Sequence, residues 1–206
     1  MSDRGTSGTS STSLVTLMPV RARELSSDMR TYRDELSRAM SFLGSLENSV
    51  FLGQAVEVPG TAMFGTLAGV DPGKRIELPV EEDFQMGLSI GLAMAGHLPI
   101  SIYPRWNFLI LAANQIINHL DKLAAMTQET PPAVIIRTSI GSERPLHPGP
   151  QHTGDLSSGI ALLAPTLHVE VLEEAADIFP AYERAATRSD GVSSLLVEYG
   201  DYYAEK

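Results

Sequence analysis

The chain has 206 residues, of which 43% are hydrophobic and 19% charged, a composition typical of one globular domain with an appended tail. Its formal net charge is −10, and no cluster of Lys and Arg is present that would neutralise nucleic-acid phosphates or hold an anionic membrane surface. The absence of cysteine excludes disulfides, thiolate metal sites and a cysteine nucleophile. We therefore expect neither nucleic acid nor a membrane as a partner.

The N-terminal segment differs in composition from the rest of the chain. It is rich in Ser, Thr and Gly without hydrophobic periodicity, which predicts a flexible arm over residues 1–27. The arm lacks the long apolar centre of a signal peptide, and no apolar run approaches transmembrane length. We therefore expect a cytoplasmic protein with a single domain over residues 28–206.

Helical and strand patterns alternate after this arm. Apolar residues at helical spacing predict helices, and short apolar runs between Gly, Pro and polar residues predict strands. The loop after the first strand, with repeated Gly and Pro, is predicted to carry a short helix over part of residues 56–73. The predicted strands are 49–53, 75–79, 98–103, 133–138, 167–171 and 193–199. The main predicted helices are 29–48, 82–96, 106–126, 156–163 and 173–188.

This alternation predicts an α/β fold, with a doubly wound, mainly parallel sheet and helices on both faces. Ligands of such sheets bind at the carboxyl ends of the strands. Three unusual segments follow predicted strands: the acidic triplet 81–83, the aromatic segment YPRWNF at 103–108 and the histidine-bearing loop 139–155. We expect these segments to meet on one rim of the sheet.

The acidic triplet consists of Glu81, Glu82 and Asp83 and allows two interpretations. Acidic residues in a first helical turn are stabilised by the helix dipole by about 0.3–1 kcal/mol each, so spacing alone favours an ordinary helix start. The helix behind the triplet is rich in small residues, although each Gly costs about 1 kcal/mol against Ala. These residues allow tight packing on the sheet or close approach of a partner subunit; they are Gly87, Gly91, Ala93 and Gly96.

The ordered series of motifs resembles a known family. RIELPVEEDFQMGLSIGLAMAGHLPISIY (75–103) resembles the segment after the second strand in thiamine-diphosphate enzymes of the transketolase-like group, most closely the β-subunits of 2-oxoacid dehydrogenases. NFLILAANQIINHLDKLAAM (107–126) resembles their next helix, and VIIRTSIG (134–141) followed by QH resembles their Arg…Gly…Gln-His loop. The similarity covers roughly residues 32–199. It implies a thiamine-diphosphate-binding fold of the pyrimidine-binding type.

The resemblance also implies roles for individual residues. Glu82 matches the glutamate whose carboxyl shares a proton with the aminopyrimidine ring, and so activates the cofactor. Phe108 matches the aromatic residue that lies against this ring, and Trp106 beside it is expected to join the cofactor-binding surface. His152 matches the histidine that lines the approach to the cofactor and would orient a substrate carboxylate or shuttle a proton. The alternative for His152 is an ordinary solvated loop histidine.

The chain departs from the family at several points. Gln54 replaces a family carboxylate after the first strand, so it would contact the cofactor site as an amide that cannot relay a proton as an acid. The loop around His147 looks longer and richer in proline than the family segment. No residue of this chain matches the family's metal motif, so we expect no metal ligand here. The sequence ends just past the last strand, so we expect the C-terminal domain of typical β-subunits to be missing.

These features imply the small subunit of a split thiamine-diphosphate enzyme. Such an enzyme would decarboxylate a 2-oxo acid or cleave a ketose-like donor, and transfer the acyl or aldehyde fragment. An α-like subunit would hold Mg²⁺ and the diphosphate, within a heterotetramer in which this chain also contacts its own copy. The alternative is a non-catalytic structural or regulatory subunit with the same fold. Gln54 favours the alternative, whereas the intact Glu82 argues against it.

Overall fold

The computed structural model describes residues 30–204, except residues 129, 132 and 144–146. The arm predicted for residues 1–27 lies outside the described residues. The strands form one six-stranded sheet in the order β2-β1-β3-β4-β6-β5, and every neighbouring pair is parallel. The strands are β1 (Ser49–Gly53), β2 (Arg75–Glu77), β3 (Leu98–Ile102), β4 (Ile135–Ile140), β5 (His168–Leu172) and β6 (Ser194–Tyr199).

Helices cover both faces of this sheet. They are α1 (Tyr32–Ser45), α2 (Ala62–Gly65), α3 (Glu82–Met94), α4 (Trp106–Leu109), α5 (Leu123–Thr127), α6 (Ser157–Leu163) and α7 (Ala175–Thr187). One core cluster lies under α1 and α7, and a second lies under α3, α4 and α6. The doubly wound, parallel α/β fold predicted from the sequence is therefore confirmed.

Neighbouring strand residues supply the two cores alternately. Ile135 of β4 belongs to the core under α1 and α7, whereas Ile136 belongs to the core under α3. In β6, Leu196 faces the first core, and Leu195 and Val197 face the second. Because successive strand side chains point to opposite faces, a strand buried on both sides needs a continuous apolar run. This requirement explains why such runs predicted the strands correctly.

The helix α1 shows how local sequence fixes an element. Thr31 accepts a hydrogen bond from the backbone N–H of Asp34, and the Asp34 carboxylate accepts one from the backbone N–H of Thr31. This capping box satisfies two N–H groups that a helix start leaves without partners. Leu36, Met40 and Leu43 are fully buried along one face, as their spacing predicts.

The prediction of one continuous helix over residues 106–126 is wrong. The α-helix α4 ends at Leu109, a 3₁₀ turn covers Ile110–Ala112, and a wide π-helical segment covers Gln115–Leu120 before α5 begins. The buried face nevertheless continues through all of these segments, at positions 109, 112, 116, 120 and 123. Apolar spacing of three and four residues therefore could not reveal the change of helix type.

The crevice for a ligand lies where the chain leaves neighbouring strands in opposite directions. From β1 the chain turns to β2 on one side, whereas β3 lies on the other side of β1 and is followed by β4. Gly53 ends β1 with φ +149°, and a Cβ there would lie 2.3 Å from the carbonyl oxygen of Ile102. Only glycine fits this close approach, which places the next residue, Gln54, beside the end of β3.

One buried ion pair joins the central strands. Arg137 of β4 donates to Glu198 of β6 through Nε at 2.5 Å and Nη2 at 2.9 Å, and both side chains are fully buried. The Tyr182 and Tyr203 hydroxyls donate to the same carboxylate, and Arg137 Nη1 donates to Thr66 Oγ1 at 2.9 Å. The pair thus has the additional hydrogen bonds that a buried charge pair requires.

None of the helices in the described part of the chain combines the length and apolar character needed to cross a membrane.

Candidate functional site at the carboxyl edge of the sheet

The acidic triplet separates into two kinds of residue. Glu81 is the N-cap of α3 and makes no side-chain cap hydrogen bond, and Asp83 accepts a hydrogen bond from Gln115 Nε2 at 3.1 Å on the surface. Both are exposed, whereas Glu82 is only 4% exposed. The position of Glu81 and Asp83 fits an ordinary helix start. The burial of Glu82 needs a different explanation, because a carboxylate is rarely buried without a partner.

Glu82 has one clear side-chain partner. The Gln54 amide Nε2 donates to Glu82 Oε1 at 3.1 Å, and no hydrogen bond within the described residues reaches Oε2. The buried Tyr103 hydroxyl donates to the Glu82 backbone carbonyl at 3.3 Å. Burial, with a smaller effect of the Glu82 and Asp83 charges, raises the pKa of Tyr103, so its hydroxyl stays protonated. One carboxylate oxygen of Glu82 is thus fixed, and the other is uncommitted.

Gln85, one helical turn after Glu82, fastens the start of α3 to the sheet. This fully buried side chain donates from Nε2 to Ser101 Oγ at 3.1 Å and to the Ile102 carbonyl at 3.0 Å. Its amide therefore satisfies groups at the end of β3 and holds α3 in place above it. Sequence reasoning missed Gln85, because a glutamine in a helix pattern carries no sign of which side it buries.

A cavity of about 460 Å³ opens beside this cluster. Gln54 and Phe108 both line it, so the residue that contacts Glu82 also faces the predicted aromatic platform. Phe108 is half-buried in α4, which begins shortly after β3. The rest of the wall comes from the segment after β1, from the end of β4 and from residues after β3, β4 and β6, including Thr61, Arg105, Ser139 and Tyr203.

His152 lies next to Phe108. Their ring centroids are 6.5 Å apart with an interplanar angle of 32°. His152 sits in a 3₁₀ turn (Pro150–His152) in the loop after β4, and its Nδ1 is buried without a hydrogen-bond partner. Buried polar atoms normally have partners, so this unsatisfied ring nitrogen is unusual for a solvated loop histidine. The three predicted segments therefore meet on one rim, as the sequence indicated.

Trp106 faces away from this rim cavity. It is 4% exposed, belongs to the core under α3 and lines a separate apolar cavity of about 260 Å³ with Leu109, Ile116 and Ile160. The structure therefore does not bring Trp106 together with Gln54, Glu82 and Phe108. Its packing role follows from the helical register, since Trp106 and Phe108 are two positions apart and point to different sides of α4.

Glu77 holds the loop that carries Gln54. Its carboxylate accepts hydrogen bonds from the backbone N–H groups of Ala55 at 2.7 Å, Val56 at 2.8 Å, Glu57 at 2.8 Å and Val58 at 3.4 Å. Burial acts to raise the pKa of Glu77, but the four donors outweigh it and the pKa is lowered. Ala55 has φ +54°, a strained value for a residue with a Cβ. Nothing in the sequence pattern signalled this contact beyond the position of Glu77 in a strand.

Within the described residues, no group of three or more His, Asp or Glu side chains is arranged to hold a metal ion. The two carboxylates at the rim have different partners: Glu82 accepts a hydrogen bond from the Gln54 side chain, whereas Glu77 accepts hydrogen bonds from backbone N–H groups.

Similarity to known proteins is visible in the three-dimensional structure. No protein-family model and no curated protein matches the sequence. A solved chain described as a split-gene transketolase in an inactive β4 tetramer superposes with a TM-score of 0.63 at 17% identity, covering 82% of this chain and 51% of that chain. The fold is transketolase-like. The chain spans about half the length of that neighbour, so the neighbour's activity is not transferred here by similarity alone.

The transketolase-like fold is consistent with the resemblance seen in the sequence. It places the carboxyl edge of the sheet, with Gln54, Glu82, Phe108 and His152, at the ligand-binding side expected for open α/β sheets. The narrower resemblance of the sequence motifs to those of 2-oxoacid dehydrogenase β-subunits concerns activity rather than fold.

Proposed function

We propose that this chain is the small, pyrimidine-binding subunit of a split thiamine-diphosphate-dependent enzyme. The observation that carries the proposal is the burial of Glu82 at the rim, with Oε1 fixed by Gln54 and Oε2 without a partner in the described residues. Carboxylates are seldom buried unless they are paired, so a buried Glu that keeps one oxygen free of protein partners is better explained by a ligand than by packing. An uncommitted buried carboxyl is suited to exchange a proton with a bound heterocycle.

The residues present fit the aminopyrimidine part of the cofactor. Glu82 would hold a proton on its carboxyl at the ring nitrogen, and Phe108 would supply the apolar surface against the ring face. Gln54 would keep the Glu82 carboxyl in one orientation, because it binds only Oε1. When bound, thiamine diphosphate supplies the carbanion chemistry that cleaves a bond next to a carbonyl group. His152 would meet the substrate, because its unpartnered Nδ1 lies beside Phe108.

The proposed reaction is decarboxylation of a 2-oxo acid or cleavage of a ketose-like donor, followed by transfer of the acyl or aldehyde fragment. Mg²⁺ and the diphosphate are assigned to an α-like partner subunit, since this chain supplies an aromatic and carboxyl environment rather than a metal-ligand set. The active particle is proposed as a heterotetramer with two of these chains. The structural neighbour's own description as a tetramer supports oligomeric assembly of this fold.

The alternative is a non-catalytic subunit that stabilises or regulates its partner. Gln54 favours this alternative, because an amide stands where the resembling enzymes have a carboxylate. Against it stands the cost of burying Glu82, which a scaffold could avoid with any apolar residue.

The test compares variants at neighbouring carboxylates in the assembled enzyme. The chain is co-expressed with the product of an adjacent gene that encodes a diphosphate-binding subunit, and thiamine-diphosphate binding is measured by calorimetry. We expect Glu82→Ala to reduce turnover by at least about 100-fold while the assembly persists, and Glu81→Gln to match the wild type, because Glu82 is buried beside Gln54 whereas Glu81 is exposed. Unchanged cofactor binding and turnover in Glu82→Ala would establish the non-catalytic alternative.

A further inference from the structure

The rim cavity carries a positive charge that no internal carboxylate neutralises. Arg105, the N-cap residue of α4, lines the 460 Å³ cavity and is half-buried. No Asp or Glu lines this cavity among the described residues. We propose that Arg105 binds an anionic oxygen group of the substrate in this cavity. The inference rests on the proposed function and narrows its substrate to compounds that keep a phosphate or carboxylate group through the reaction.

The lack of a partner is unusual in this chain. Acidic residues outnumber basic ones by 25 to 15, so a cation on the surface readily finds a carboxylate. Arg38 contacts Glu35, Arg184 contacts Glu170, Arg188 contacts Asp190, and the buried Arg137 contacts Glu198. Among the described Lys and Arg residues, only the side chains of Arg33 and Arg105 make no hydrogen bond or ion pair with another described residue. Arg33 is exposed on α1, so water can satisfy it.

Arg105 differs from Arg33 because it is half-buried and lines a cavity. A guanidinium has five N–H donors in a planar fork, which matches the paired oxygens of a carboxylate or phosphate. The buried Glu198 is already paired with Arg137, so it does not neutralise this cation. Asp201, beyond the cavity wall, accepts from the backbone N–H of Glu143 at 2.9 Å. The cavity therefore presents Arg105 to an incoming anion together with the hydroxyl of Thr61, which accepts from the Phe64 backbone N–H and keeps its own proton for donation.

The position of Arg105 also suits a substrate better than the cofactor ring. Arg105 is the extended N-cap residue before α4, Phe108 lies within α4, and both line the same cavity. Phe108 is assigned to the aminopyrimidine, so Arg105 is available to a different group in this cavity. An anionic group held there would orient the rest of the substrate toward the rim.

The first test uses the full chain and inorganic phosphate or acetate as probes. Binding is measured by NMR titration at constant ionic strength for the wild type, Arg105→Gln, Arg105→Lys and the matched control Arg33→Gln. We expect Arg105→Gln to weaken phosphate binding roughly 10-fold or more, Arg105→Lys to retain part of it, and Arg33→Gln to change nothing. Equal binding by Arg105→Gln and the wild type would overturn the proposal. Tighter binding of phosphate than of acetate, or the reverse, identifies the preferred anionic group.

The second test uses the assembled enzyme and a pair of substrates that differ in one charge. For 2-oxoglutarate, which has a second carboxylate, Arg105→Gln is expected to lower kcat/KM roughly 10-fold or more, with little change for 2-oxobutanoate. If Arg105 instead pairs with a carboxylate of the partner subunit, the variant weakens assembly and leaves both the phosphate titration and the substrate preference unchanged, which rejects the proposal. Thiamine-diphosphate binding is measured separately, so loss of the proposed function is distinguished from loss of the anion site.

Discussion

At the scale of single residues, the contact between Gln54 and Glu82 decides how the rim is organised. The amide of Gln54 donates to a carboxylate that is 4% exposed, and it also lines the cavity. An amide in this position leaves Glu82 with a single fixed oxygen, whereas a second carboxylate would repel it. Gln54, which stands where the resembling enzymes have a carboxylate, therefore stabilises the orientation of Glu82. It does not place a second acid beside Glu82.

This contact can be measured by a double-mutant cycle. Gln54→Leu should lower the free energy of unfolding by about 1–3 kcal/mol, because a buried carboxylate oxygen loses its donor. In a Glu82→Gln background the same change should cost less, with a coupling energy of about 0.5–3 kcal/mol. Urea denaturation of the full chain at pH 7 gives both values.

The chain offers a matched control for this cycle. Gln115 donates to Asp83 at 3.1 Å on the exposed side of the same helix. Gln115→Leu should change the free energy of unfolding by no more than about 0.5 kcal/mol, because exposed polar contacts contribute little. A cost for Gln54→Leu as small as that for Gln115→Leu would show that the buried contact contributes no more than a surface one.

At the scale of elements, the short edge strand β2 positions the loop that follows β1. Glu77 binds the backbone N–H groups of residues 55–58, and Arg75, two residues earlier, donates to the carbonyl groups of Leu67 and Val70. One strand of three residues thus binds both backbone donors and backbone acceptors of the segment between β1 and β2. The loop in turn carries Gln54 and part of the cavity wall.

The stability supplied by Glu77 should depend on pH. The folded-state pKa of Glu77 is lowered from its ordinary value of 4.5, so its contribution is fully present above pH 4.5 and is lost as the pH falls through the lowered folded pKa. Glu77→Gln should therefore cost about 1–3 kcal/mol at pH 7, and the difference from the wild type should shrink below pH 4.5. Urea unfolding at several pH values measures this difference.

Hydrogen exchange locates the same effect within the chain. The amides of residues 55–58 should exchange faster in Glu77→Gln, whereas Glu57→Gln, which changes an exposed neighbour, should leave them unchanged. A difference between the wild type and Glu77→Gln that stays constant from pH 7 to pH 3 would mean that the Glu77 charge is not responsible.

The elements also show what the sequence could and could not predict. The strands were predictable because burial on both faces of a parallel sheet demands continuous apolar runs, as in β4 and β6. The burial of Glu82 was indicated only by family resemblance, since its neighbours Glu81 and Asp83 have the same chemistry. Glu77, Gln85 and Arg105 were missed because their roles depend on which distant backbone or cavity they reach. The break after Leu109 was hidden because the apolar spacing continues through it.

At the scale of the whole molecule, the outer face of α3 is exposed and apolar. Phe84 and Met94 are 56% and 62% exposed, and Gly91 lies between them. Apart from the backbone of its own helix, no atom lies within 4 Å of the position that a Cβ on Gly91 would occupy. The neighbouring 3₁₀ turn adds Ile110 and Leu111, which are 51% and 60% exposed. Exposed apolar patches of this kind mark interaction surfaces, and the open space at Gly91 favours the interpretation in which the small residues of this helix admit a partner subunit.

A substitution at Gly91 separates folding from assembly. Gly91→Leu replaces a costly helix residue by a good one, so the free energy of unfolding should rise by about 0.5–1 kcal/mol. A side chain on that face should nevertheless block close approach of another subunit, and light scattering after size-exclusion chromatography should show a smaller particle. Glu183→Leu in α7 is the control, because it adds an exposed Leu to a helix on the opposite face of the sheet. An assembly lost only in Gly91→Leu, with folding retained in both variants, assigns the α3 face to the subunit interface. An assembly that survives Gly91→Leu places the interface elsewhere.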